Sequence, residues 1–217
     1  MAAASAEPWA WLTVAIYIDA AGGREASARA ALAEVLSGTN LPATVNWHVA
    51  AELSEAVAIL GDRAAAARLY TMLAPNARLF PVVARGGICI GSAQYFVARL
   101  ASTLGRTDEA ELRLRRAITE NLRIGAAPRA AIALSRLGEL TGDRATLLEA
   151  AARADAFEMH GVAQRARAAA HATLAYASSP QRKPGAGSSR TSGLAGSPSA
   201  STSALNAEGA TSLGASA

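Results

Sequence analysis

Cysteine occurs once in this chain, at Cys89, and lysine once, at Lys183. A lone thiol excludes an internal disulfide and fits a reducing compartment. With lysine nearly absent, the positive charge rests on arginine. Aromatic residues make up only 5% of the 217 positions, so the side chains that favour sheets are scarce. The longest apolar run near the start, PWAWLTVAIYIDAA, is shorter than the roughly 20 residues of a membrane span. It also lacks the positively charged leader of a secretory signal. These absences predict a soluble, cytoplasmic protein with no membrane partner.

What is present is alanine. Hydrophobic residues reach 51%, and small side chains on periodic segments suit closely packed helices. An all-α fold is therefore expected. The pI of about 9.8 points at first to nucleic acid, but the charge is unevenly placed. Arg182, Lys183 and Arg190 lie beyond residue 177, where Glu208 is the one acid, so residues 1–177 carry 18 basic and 16 acidic groups. A net of +2 is no footprint for a polyanion. Residues 178–217 are rich in Ser, Gly, Pro, Ala and Thr. Such a segment cannot bury enough apolar surface to offset its ordering entropy, which predicts a disordered tail.

Residues 1–177 contain a repeat. Gly105 is followed by Ala110, Leu114 and Ala117, at offsets of five, nine and twelve. The same offsets lead from Gly61 to Ala66, Tyr70 and Leu73; from Gly23 to Ala28, Leu32 and Val35; and from Gly142 to Leu147, Ala151 and Ala154. Each glycine can end one helix in a left-handed conformation, and the three apolar positions then share one face of the next. First helices are expected over 9–21, 46–60, 92–104 and 128–141. Second helices are expected over 24–37, 62–74, 107–124 and 143–159, with a ninth over 162–177. Pro128 suits a first helical turn. Thr107 is placed to cap its helix, with Asp108 and Glu109 near the positive dipole end. The glycine spacings of 38, 44 and 37 residues exceed the about 34 of a strict tetratricopeptide repeat, and the surplus falls in 38–45 and 75–91.

The glycine–alanine–leucine–alanine offsets and the turn LGRTDEA resemble tetratricopeptide repeats. The stretch 46–140, with NWHVAAELSEAVAILGD, GGICIGSAQYFVARLASTLGRTDEAELRLRRAITENLRIGA and PRAAIALSRLGEL, is similar to the C-terminal helical region of large bacterial signal-transduction ATPases. Those include LuxR-type transcription regulators and adenylate cyclase-linked regulators. The resemblance implies a tetratricopeptide-like α-solenoid of about four helical hairpins and a final helix over 1–177, a detached arm of such a regulator. Its partner would be a protein or peptide, such as an ATPase or regulator domain. The family's ATPase motif and cyclase signature are missing here, so neither activity transfers to any residue.

The segment RGGICIGS at 85–92 has the outline of a phosphate loop, GxxxxGK[ST], without its lysine. That lysine neutralises phosphate, so the glycines are read as a bend into the following helix, with Ser92 as its cap. Cys89, in an apolar run, is expected to be buried. His48, His160 and His171 lack the i, i+4 spacing of metal ligands on one helix. The RLRR of 113–116 lies among Glu109, Glu111 and Glu120, which favours a solvated, charge-paired face; Arg165 and Arg167 are a weaker case. Glu139 and Asp143 can neighbour across a helix end but supply no nucleophile. Trp9, Trp11 and Trp47 are assigned to packing, an exposed one being a sign of a partner. No catalytic, cofactor or metal residues are assigned, and the chain is not expected to be an enzyme. A non-catalytic scaffold uses the face of its first helices, which nominates Trp47, Glu52, Tyr95 and Arg99 as partner-binding residues. The rival readings are a DNA-contacting transcriptional regulator and the remnant of a nucleotide-dependent one.

Overall fold

The computed structural model describes residues 8–37, 46–83 and 88–178, with side chains at 11–37, 48–82 and 88–174. The connection 38–45, Arg85–Gly87 and the expected tail after Ser178 lie outside the described residues. By internal contacts the chain divides into Met1–Ser179 and Pro180–Ala217, and every described residue belongs to the first unit.

The described residues are all-α apart from one minimal β pair. The helices are α1 (Pro8–Ala21), α2 (Glu25–Ser37), α3 (Asn46–Leu60), α4 (Arg63–Leu73), α5 (Ala93–Thr103), α6 (Thr107–Arg123), α7 (Ala127–Thr141), α8 (Arg144–Asp155) and α9 (His160–Ser178). Between α4 and α5 come a single 3-10 turn at Ala74–Asn76 and the strands β1 (Val82–Val83) and β2 (Ile88–Cys89), which pair antiparallel. No helix among the described residues is long and apolar enough to cross a membrane.

The four glycines at the repeat positions all adopt the left-handed conformation, with φ between +63° and +81°. Each ends a helix and turns the chain within two or three residues, which forces an antiparallel return. The offset residues then face inward: all are buried except Tyr70, which is half-buried. α1 packs on α2, α3 on α4, α5 on α6 and α7 on α8. The pairs also touch: α1 lies against α3, α3 against α5, α4 against α5 and α6 against α7, while α9 covers α8 and part of α7. One apolar cluster extends from Ile16 of α1 to Ala166 of α9.

Three local expectations need correction. Thr107 is the first helical residue of α6, and the capping position falls to Arg106, whose side chain makes no capping hydrogen bond. The Arg106 amide closes the preceding turn onto the Ala101 carbonyl at 2.9 Å, and the Arg106 carbonyl already accepts from Ala110. The helix expected over 143–159 stops at Asp155, where the Met159 amide bonds back to the Ala154 carbonyl at 2.9 Å. No glycine marks that stop; Glu158 takes the left-handed conformation instead, at φ +57°. Cys89 is exposed along with Ile88, because no described helix packs broadly against the faces of the two-residue strand.

Alanine sets the helix spacing, and Gly138 marks its limit. A Cβ at Gly138 of α7 would lie 2.7 Å from Leu147 Cγ and 3.0 Å from the Leu147 backbone nitrogen of α8. The backbone atom cannot rotate away. Gly138→Ala is therefore expected to lower stability by about 1–3 kcal/mol, although the same change in an open helix gains about 1 kcal/mol. Urea denaturation of the two proteins measures the sign.

Candidate functional site

The first helices α1, α3, α5 and α7 share a line of polar side chains. On α3, Glu52 and Glu55 are one helical turn apart and point the same way. Glu52 accepts a hydrogen bond from Thr13 of α1 at 2.6 Å. Glu55 is the hub. Its Oε1 accepts from the Tyr95 hydroxyl and from Arg99 Nε at 3.1 Å, both on α5. Its Oε2 lies 3.6 Å from Arg136 Nη2 on α7. Arg136 in turn pairs with Glu139 at 2.8 Å, and Ser135 Oγ donates to the same carboxylate at 3.4 Å.

This network is largely screened from water. The side chains of Glu55 and Arg99 are 17% and 15% exposed, and that of Arg136 is 20% exposed. Burial raises the Tyr95 pKa well above that of an ordinary phenol, and the neighbouring Glu55 charge raises it further. For Arg136, burial works against the charged form, but Tyr95, Glu139 and Glu55 outweigh it and hold the guanidinium charged.

The structure thus brings three of the four nominated residues onto one face, in unequal roles. Tyr95 is 7% exposed, its ring edge-on to Phe96 with centroids 5.2 Å apart. It positions Glu55 and offers a partner almost no surface. Glu52 and Arg99 are half-buried and reach the rim. Trp47 lies in α3, and its side chain is outside the described residues. Sequence reasoning missed Glu55 and Arg136. The available signal was a charge on each of two expected first helices, set between small or apolar neighbours, Ser54 and Ala56 in one and Ser135 and Leu137 in the other.

A second network joins α4 and α6 and reaches α5. Glu109 of α6 accepts from the Tyr70 hydroxyl at 2.6 Å and from Arg113 Nε at 2.7 Å. Arg113 also donates to Gln94 of α5 at 3.0 Å, and Arg106 stacks 4.6 Å above the Tyr70 ring. Burial alone would raise the Glu109 pKa, yet the Tyr70 and Arg113 hydrogen bonds bring it below its ordinary value. The RLRR run is therefore mostly engaged: Arg113 here, Arg115 with Glu111 at 2.8 Å, and Arg116 exposed. Arg167 pairs with Asp155.

Of the glycines expected to bend the chain into α5, Gly86 and Gly87 lie outside the described residues and Gly91 adopts the left-handed conformation. Gly91, at φ +95°, approaches Asn121 so closely that a Cβ would meet Asn121 Oδ1 at 2.9 Å. The Ser92 amide donates to that same oxygen at 2.9 Å. Ser92 Oγ accepts from the Gln94 amide at 3.1 Å, capping α5, and donates to the Glu120 carboxylate. The chain's own side chains thus occupy the helix start where a phosphate would sit. Asp143 caps α8 through the Ala145 and Thr146 amides, while Glu139 faces Arg136, so the two carboxylates form no dyad. His48 is half-buried on α3, and His160 and His171 are exposed on α9. Among the described residues no three metal-ligating side chains converge.

Truncating Glu55 leaves two half-buried guanidinium groups facing one another. Glu55→Ala is expected to cost about 2–4 kcal/mol, and Glu55→Gln less, because the amide still accepts the Tyr95 hydroxyl. Denaturant melts rank the two. Glu109 gives a pH test. Its folded pKa is depressed, so its contribution is complete above the unfolded value of about 4.3 and is lost as pH falls through the folded one. The stability gap between wild type and Glu109→Gln should narrow below pH of about 4, as measured by denaturation at stepwise lower pH. Comparison of the chain with protein-family models, curated proteins and solved structures gives no match.

Proposed function

We propose that this chain is a non-catalytic interaction scaffold, a tetratricopeptide-like α-solenoid whose first helices α1, α3, α5 and α7 form the partner-binding face. The observation that carries the reading is the shared polar line from Thr13 through Glu52, Glu55, Arg99 and Arg136 to Glu139. It belongs to the first member of every hairpin, as a surface repeated along a stack requires. The recurring glycine offsets and the consecutive packing of helix pairs support the same view.

The resemblance to the helical arm of bacterial signalling ATPases names the partner class. It is a protein or peptide, with an ATPase or regulator domain first in line and transcriptional or signalling control as the context. A nucleotide-dependent function finds no support at Ser92, where Glu120 and Asn121 already hold the helix start. A DNA-contacting function finds little support in α6, where Arg113 and Arg115 are already paired with Glu109 and Glu111.

Hydrogen exchange on the full chain, alone and with a signalling-ATPase module, tests the proposal. Protection concentrated on α3, α5 and α7 is the expected result, and Glu139→Lys at the rim should weaken the complex about tenfold. Salt-dependent binding to duplex DNA, saturable ATP binding, or protection confined to α2, α4, α6 and α8 would each defeat it.

A further inference from the structure

Helix α1 is apolar on every side and packs on only one. Thr13, Ile16 and Ala20 face inward, with Leu12 at the edge. On the opposite side Trp11 is 74% exposed, Val14 48%, Tyr17 41% and Ile18 52%. From Pro8 to Ile18 the helix carries no charge. Asp19, the first acid, is held by Arg24 and Ser27 within the turn into α2. A helix with apolar residues all round requires burial all round, and the tryptophan assigned to packing lies outside the packed face.

We infer that the exposed face of α1 pairs with the same face of a second copy of this chain, giving a two-fold dimer. Three observations select that occupant. First, Trp11, Val14, Ile18 and Ala21 fall at i, i+3, i+7 and i+10, the seam spacing of two helices packed side by side. A two-fold axis near Val14 sets Trp11 of each copy against Ile18 of the other.

Second, the opposite end of the helix series is chemically different. α9 exposes Gln164, Arg165, Arg167 and His171 beside Leu174. Head-to-tail addition would press an uncharged apolar face against arginines, whereas face-to-same-face pairing has no such mismatch and closes after two copies. The exposed α1 side also lacks the lysines and arginines that mark a helix lying on a lipid surface.

Third, the area fits a reversible dimer. Scaled by side-chain areas of about 150–250 Å², the four exposed residues present on the order of 400 Å² per copy. Two copies thus bury about 800 Å², within the range below about 1,200 Å² of weak, transient interfaces. Association is therefore concentration-dependent.

Sedimentation equilibrium of the full chain from low to high micromolar concentration tests this. The expected mass rises from 22.0 kDa to twice that value and no further. Val14→Glu and Val14→Lys each hold the protein at monomer mass with the far-UV helix signal intact, since Val14 is a surface position of the monomer. Mixing the two variants restores the doubled mass, because the opposite charges meet across the axis. Ile18→Lys gives an independent loss of association. A wild-type monomer at every concentration, an assembly that survives Val14→Glu, mixed variants that stay apart, open-ended growth, or a monomer that instead sediments with phosphatidylcholine vesicles would each overturn the inference.

Discussion

Everything in this unit depends on how near one helix backbone can come to the next. Ala28, Ala50, Ala51, Ala56 and Ala66 are wholly buried, as are Ala110, Ala117, Ala131, Ala133 and Ala150. A methyl group keeps two helices closer than leucine would, and it loses no rotamer freedom on burial. Each contact buries little area, so cohesion comes from many short contacts along the helices. Gly138 against Leu147 is the same rule at its limit, where even a methyl has no space.

Close backbones leave little room for polar side chains, and several of those that remain inside are held by partners on other helices. Glu55 serves three partners from two helices, Glu109 takes up Tyr70 and Arg113, and Asn121 holds the Ser92 amide. In such a site the geometry of one carboxylate sets the orientation of several neighbours. Tyr95 is one of them, its hydroxyl held by Glu55 and its ring almost wholly buried. Glu52 and Arg99 are half-buried and Glu139 is exposed, so their carboxylates and guanidinium stay nearer to solvent than the ring of Tyr95.

The sequence disclosed what is local. Left-handed glycines, a proline in the first turn of α7 and apolar offsets fixed most helix ends to within a residue or two, since each signal acts within one turn of the chain. The misses are of two kinds. Glu158 does a glycine's work with no glycine present, and Arg106 displaces Thr107 from the cap because the turn before it closes early. The other misses are long-range. Nothing near Glu55 announces Arg136, and nothing in α1 tells which of its apolar sides will find a neighbour. The candidate site was legible as a face, through the ordering of first helices, but not as a network.

The Glu55–Arg136 pair has a kinetic consequence. Most helix contacts lie within a hairpin or between neighbouring ones, and contacts so close in sequence favour rapid folding. This pair reaches from α3 past α5 to α7. It therefore adds a direct link between the second and fourth hairpins, which the unfolding of either must break.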